Sequence, residues 1–233
     1  MKKLNIRNII LSNYQLLNMS IDHLSKNSLN EKTILKSIEL DSIVFDIGSN
    51  LGNFIYRISK LNKNKTLHFH SFEPNYSVSK IQLDKIKSNK HSLKINNFAV
   101  SNTTSETKFY ERKISSQSSL YEFSSNKIFE SGKKISVKTI TIDQYCEVNN
   151  IYFINLLKID TEGHEFNVLN SAKKMFKNNK VDLVKIEIFI NNKNLENIIN
   201  FFNSHNFYLL GTLNHKFIKN ELKYLDAYFK YKT

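Results

Sequence analysis

Asp160, Glu162 and His164 alternate along one short stretch, and Glu187 closes a later apolar run. Side chains of these types can take a proton from a hydroxyl as it becomes a nucleophile. His164 is the first candidate base, because an imidazole titrates near neutral pH. Asp160 is the second, and it could equally position a substrate. The same oxygen and nitrogen donors could hold Mg²⁺ or a similar ion. Solvated carboxylates give the same spacing, so no metal is assigned. Glu162 and Glu165 have a structural reading too, since a helix N-terminus favours an acid such as Glu165. His68 and His70 fall on one face of a predicted strand, and nothing beside them completes a zinc site.

A second constellation precedes these residues. In Asp46-Ile47-Gly48-Ser49-Asn50-Leu51-Gly52 an acid ends an apolar run and two glycines bracket a turn. Gly48 and Gly52 let the backbone approach a ligand with no Cβ in the way. Glu73 follows Gly52 by about twenty residues, the spacing of a carboxylate that binds ribose hydroxyls. A pyrophosphate would be repelled by Asp46, whereas the ammonium of S-adenosylmethionine would be attracted. Asn50 stands where the dinucleotide fingerprint has its middle glycine. The cofactor expected from Asp46, Gly48, Asn50, Gly52 and Glu73 is therefore S-adenosyl-L-methionine. The competing role for Asp46 is an N-cap of the following helix.

These residues need strands to carry them. Residues 43–47, 67–73, 93–100, 156–160 and 181–189 read as strands. Helical patterns lie between them, after Gly52, over 77–88, over 165–176 and over 195–202. Such alternation predicts a parallel sheet covered by helices. Val78, Ile81, Leu83 and Ile86 are the apolar residues of the 77–88 helix. Two further strands, 207–213 and 226–231, end the chain, the last one antiparallel. Residues 1–40 predict a helical cap, with Ser28 or Asn30 at an N-cap and Ile34, Ile38 and Leu40 turned inward. Residues 102–140 interrupt the rhythm with strand-like ends and a serine-rich centre, read as a loop over the site. The economical organisation is one domain over 1–233, with the cap at 1–40 and the core at 41–233.

At the stretch Lys158-Ile159-Asp160-Thr161-Glu162-Gly163-His164-Glu165 the sequence resembles the FkbM-type methyltransferase family. The loop 46–52, Phe72-Glu73-Pro74-Asn75, Asn97-Phe98-Ala99-Val100-Ser101, Ser118-Ser119-Leu120, Thr141-Ile142-Asp143 and Lys185-Ile186-Glu187 carry the likeness in order. It covers about residues 43 to 190. The resemblance implies a Rossmann-like α/β class I methyltransferase fold and an S-adenosylmethionine-dependent O-methyltransferase acting on sugar hydroxyls. It adds Ser49, Pro74, Asn97 and Ala99 to the expected cofactor site, with Asn97 and Ala99 near the adenine.

Composition sets limits. The chain has 233 residues, 40% of them hydrophobic, enough for one α/β domain with a substantial core. No apolar run approaches the roughly eighteen residues of a membrane span, and no signal-peptide core is visible near the start. The expected location is the cytoplasm. Cys146, the only cysteine, excludes an internal disulfide and reads as a small packing residue. The net charge of +13 is spread along the chain. It would suit a phosphorylated acceptor or nucleic acid, but it equally describes a basic surface. The expected acceptor is a sugar nucleotide or a glycan. An RNA ribose 2′-hydroxyl, served by Lys158, Asp160, Lys185 and Glu187, and a small secondary metabolite are the alternatives. Nothing in the sequence sets an oligomeric state.

Overall fold

The computed structural model describes residues 30–85, 90–111, 118, 120, 133–190, 192–218 and 221–232. Among these residues the main sheet has seven strands: β1 Ser42–Ile47, β2 Leu67–Phe72, β3 Ser92–Asn96, β7 Ile154–Ile159, β8 Val181–Phe189, β9 Phe207–Ile218 and β10 Glu221–Tyr231. Their spatial order is β3-β2-β1-β7-β8-β10-β9. The first five run parallel, while β10 lies antiparallel between β8 and β9. The chain proceeds outward from β1 through β2 to β3, then returns to β1's other side as β7. That reversal creates a crevice at the carboxyl ends of β1 and β7, where open α/β sheets bind ligands.

The central strands are nearly continuous apolar runs because both faces are covered. Their alternation divides the core in two. Phe45, Ile47, Leu157 and Ile159 face the larger cluster. Val44 and Leu156 face the smaller one, with Phe54, Ile55 and Ile58 of α2 (Asn53–Leu61) and Leu35 of α1 (Glu31–Lys36). Asp46 and Lys158 are paired across β1 and β7. With side chains alternating at period 2, they share the face of Val44 and Leu156.

Several sequence expectations change. Asn30 caps α1, its Oδ1 accepting from the Thr33 N–H at 3.2 Å. Glu31, in the first turn of α1, pairs with Arg57 at 2.7 Å. Leu40 is exposed, because the chain turns at Asp41, which has a φ of 58°. The predicted helix over 77–88 is two short pieces, α3 Tyr76–Ser79 and α4 Gln82–Lys85. Among its described residues Ser79 and Gln82 are the buried ones, while Ile81 and Leu83 are exposed. The predicted third strand is also cut. After Asn96 the chain leaves the main sheet, and β4 (Ala99–Val100) pairs with β6 (Lys134–Ile140), which pairs with β5 (Glu106–Tyr110). Side-chain bonds take over where that ladder stops: Asn96 Nδ2 donates to Ser71 O and Asn97 Nδ2 to Glu73 O. The predicted helix at 165–176 is α6 Glu165–Asn170 followed by α7 Lys173–Lys177. Helices α5 (Ile142–Val148) and α8 (Asn192–Ser204) complete the described elements. Ser28, Ile86, most of the cap and the centre of the 102–140 insertion lie outside the described residues. No described helix is long and apolar enough to cross a membrane.

Candidate active site

The glycine loop is built by backbone geometry. Gly48 has a φ of +72°, and a Cβ there would lie 1.8 Å from the Asp160 carbonyl oxygen. Only glycine fits a position that is both left-handed and in contact with the neighbouring strand end. The Gly48 and Ser49 N–H groups donate to Phe72 O at 3.0 and 3.1 Å, and the Asp160 N–H donates to Ile47 O. These bonds lock the tips of β1, β2 and β7 together.

Glu73 sits at the tip of β2 and is 7% exposed. The Asn50 N–H donates to its Oε2 and the Asn75 N–H to its Oε1, both at 3.0 Å. Burial pushes its pKa up to about 6, against the pull of those two donors. A carboxylate has about four acceptor sites, so two remain for the hydroxyls of a ribose. The residues present therefore fit the adenosyl cofactor expected from the sequence. Asn97 is exposed and braces this corner through Glu73 O and Ser79 Oγ.

Asp46 is placed differently from its sequence expectation. It is fully buried, does not line the cavity, and holds a cation of the chain itself: Lys158 Nζ lies 3.0 Å from its Oδ1. The same ammonium is 3.2 Å from Asp160 Oδ2 and donates to Gly48 O at 3.0 Å. Burial raises the Asp46 pKa, and Lys158 opposes the shift. Burial also works against the ammonium, but Asp160 and Asp46 outweigh it and hold Lys158 above its ordinary pKa. Asp46 thus supports the loop from beneath, through Lys158.

A cavity of about 300 Å³ opens over these strand tips. Gly48, Asn50, Glu73 and Pro74 line one side; Asp160, Glu162, His164 and Glu187 line the other. Ala99, Phe109 and Leu120 of the small-sheet region give it an apolar wall, and Tyr224 of β10 reaches its rim. Ser49 and Gly52 lie behind the lining, Gly52 as the N-cap of α2 with a φ of 70°. Asp160, Glu162 and Glu187 each present an oxygen, all within 4.8 Å of one another. Such a trio can share protons or coordinate a hard cation. Burial raises the Glu187 pKa to about 9, reinforced by Asp160, Glu162, Glu165 and Asp226. Its buried Oε2 has no hydrogen-bond partner among the described residues.

The remaining candidates have structural partners. Glu165 Oε1 accepts from the N–H groups of Thr161 and Gly163, each at 3.0 Å. It holds the tight loop in which Glu162 has a φ of 54°. His164 is buried, with Nε2 3.0 Å from Ser101 Oγ and Nδ1 accepting from Asn167 Nδ2 at 3.1 Å. Burial lowers its pKa to about 4. Its ring is neutral at neutral pH, and both nitrogens are engaged by the scaffold. Sequence reasoning missed Gln82, a polar residue in what reads as an amphipathic helix, and Tyr224, which only the final hairpin brings to the site.

The family model of the methyltransferase FkbM domain matches residues 46–209. Among solved structures, methyltransferase FkbM from Methylobacillus flagellatus KT superposes with a TM-score of 0.53 at 14% identity, covering 81% of this chain and 43% of that one. This chain therefore spans under half the length of that protein. A putative RNA methyltransferase from Pyrococcus horikoshii matches with a TM-score of 0.47 at 12% identity, over 97% of this chain and 98% of that chain. TrmK from M. capricolum, solved with S-adenosyl-homocysteine, matches with a TM-score of 0.44 at 12% identity, over 89% and 70%. No curated protein matches the sequence.

Proposed function

This chain belongs to the FkbM methyltransferase family, and from that premise we propose that it transfers a methyl group from S-adenosyl-L-methionine to a hydroxyl of a sugar acceptor. The observation that carries the reading is the two-sided cavity, with a glycine loop and a ribose-type carboxylate facing a cluster of acids. When bound, the cofactor supplies an electrophilic methyl group on a sulfonium, open to in-line displacement. Glu73 accepts from the ribose hydroxyls, and the Gly48–Asn50 backbone shapes the floor beside it. Asp160, its charge compensated by Lys158, accepts a hydrogen bond from the acceptor hydroxyl and aims it. Positioning of this kind supplies much of the acceleration in a displacement. Glu187, with its pKa raised to about 9, is the stronger base and takes the proton in the fraction of molecules where it is ionised. His164 holds the wall through Ser101 and Asn167.

Lining chemistry favours a sugar over RNA. Among the described residues around the cavity there is no Lys or Arg. Lys185, which the RNA reading requires beside Glu187, is held 2.6 Å from Asp226 and 3.5 Å from Glu31 and does not line the cavity. A phosphate-rich acceptor would meet carboxylates there, whereas hydroxyls would find acceptors. Any diphosphate on the acceptor then lies outside the chamber, towards the basic surface. The reading includes a cytoplasmic enzyme organised as one domain. The test is incubation with labelled cofactor and a panel of sugar nucleotides, glycans and transfer and ribosomal RNA. Label in a sugar hydroxyl supports the reading, and label in RNA alone overturns it.

A further inference from the structure

We infer that Gln82 is a positioning residue of the cofactor site, holding the glycine loop so that Glu73 is set for a ribose before any ligand arrives. The inference rests on the reading that Glu73 binds the ribose. Gln82 is 0% exposed, although it lies in a short helix whose apolar neighbours Ile81 and Leu83 face outward. A fully buried amide is costly unless its donors and acceptor are satisfied, and here each is used. Nε2 donates to the Asn50 carbonyl at 2.6 Å and to Ser49 Oγ at 2.8 Å. Oε1 accepts from Ser71 Oγ at 2.6 Å. The two serine hydroxyls are themselves 2.6 Å apart, which closes a ring between the loop, β2 and α4.

The ring reaches the ligand side through one residue, Asn50. Asn50 sits at a φ of 47°, in the left-handed region that asparagine tolerates better than most side chains. Gln82 fixes its carbonyl, and its N–H donates to Glu73 Oε2. The two bonds therefore hold the peptides on either side of the Asn50 Cα, and a change in its φ or ψ would disturb one against the other. Gln82 also packs against Gly52, where a Cβ would lie 3.0 Å from its Cγ. The second loop glycine thus leaves room for this side chain. Gln82 does not line the cavity, so its influence on a ligand passes through Asn50 and Glu73.

The measurement is calorimetric titration with S-adenosylhomocysteine and with its 2′-deoxyribose analogue, on the full chain. Gln82→Met keeps the volume and removes the polar ring; Gln82→Glu keeps the acceptor and replaces the donor with an oxygen facing the Asn50 carbonyl. Each should weaken S-adenosylhomocysteine binding by about tenfold, the cost of a lost buried hydrogen bond. Each should weaken the deoxy analogue less, because the hydroxyl contact it lacks is the one being mispositioned. Combined with Glu73→Gln, the losses should be clearly less than additive. Where Gln82→Met does not fold, Ser71→Ala removes one donor of the same ring and should give the same discrimination at smaller amplitude. Equal weakening of both ligands, or unchanged binding with only lowered thermal stability, overturns the role of Gln82. Unchanged binding in Glu73→Gln overturns the ribose reading, and this inference with it.

Discussion

The two sides of the cavity are built on opposite electrostatic plans. On the glycine-loop side, proposed to hold the cofactor, the polar groups have partners within the chain: Gln82 bonds both serines and Asn50, and two N–H groups hold Glu73. On the other side three carboxylates lie within 4.8 Å of one another, and Glu187 keeps a buried oxygen without a partner among the described residues. The first side is arranged before ligand arrives, which lowers the ordering cost of binding. The second stores repulsion that a proton or a hydroxyl relieves. Lys158 stands between them, its one positive charge shared by Asp46 on the buried side and Asp160 on the open one.

The largest break in this comparison comes from Lys158→Met. It strands a buried Asp46 and should cost about 4 kcal/mol of stability, as for other buried pairs that lose one partner. Chemical denaturation measures the loss, and adding Asp46→Asn should recover most of it. Full stability in the single variant would mean that the pair is not needed. Next in size, Gly48→Ala drives a methyl group into the Asp160 carbonyl at a left-handed φ. About 3 kcal/mol is expected, by the scale of overpacking, together with loss of S-adenosylhomocysteine binding. A variant that melts and binds like the parent would contradict the geometry.

Smaller changes sharpen the acidic side. Asp160→Ala should slow turnover by about a hundredfold while cofactor affinity stays nearly constant. Equal losses in both would move Asp160 to the cofactor side. Glu187→Gln tests the stored repulsion through pH. Its folded pKa, raised from 4.5 to about 9, means the unfolded chain ionises first as pH rises. Stability from this group is complete below the unfolded value and is lost as pH climbs towards the folded one. The variant should lose less stability between about pH 4 and pH 8 than the parent. For a base of this kind, parent activity should rise with pH towards about 9, and the variant should lack that limb. Parallel melting curves across pH would show that Glu187 is not held protonated.

Local signals made much of the scaffold legible. The apolar runs ending at Asp46, Glu73 and Asp160 became adjacent strands, since a strand covered on both faces must be apolar along its whole length. Two other patterns misled. Ile81 and Leu83 follow a helical stripe, yet Gln82 is the residue that turns inward, because the serines behind the glycine loop offer it a complete set of partners. Leu93 to Val100 reads as one strand, yet Asn96 and Asn97 bond across to β2 and its tip, and Ala99 pairs with β6 instead. Periodicity reports which residues are apolar. It does not report polar partners distant in the chain.

The sequence by itself determined the family, the order of strands and helices, and the acids and glycines at the strand tips, because each depends on residue type at short range. Tertiary structure decided which charge each acid meets. Lys158 reaches Asp46 only because β1 and β7 are laid side by side, and Glu187 keeps its proton because folding buries it and sets Asp160 and Glu162 against it. Coulomb energies depend on separation in space and on burial, and neither is written in the spacing of residues along the chain.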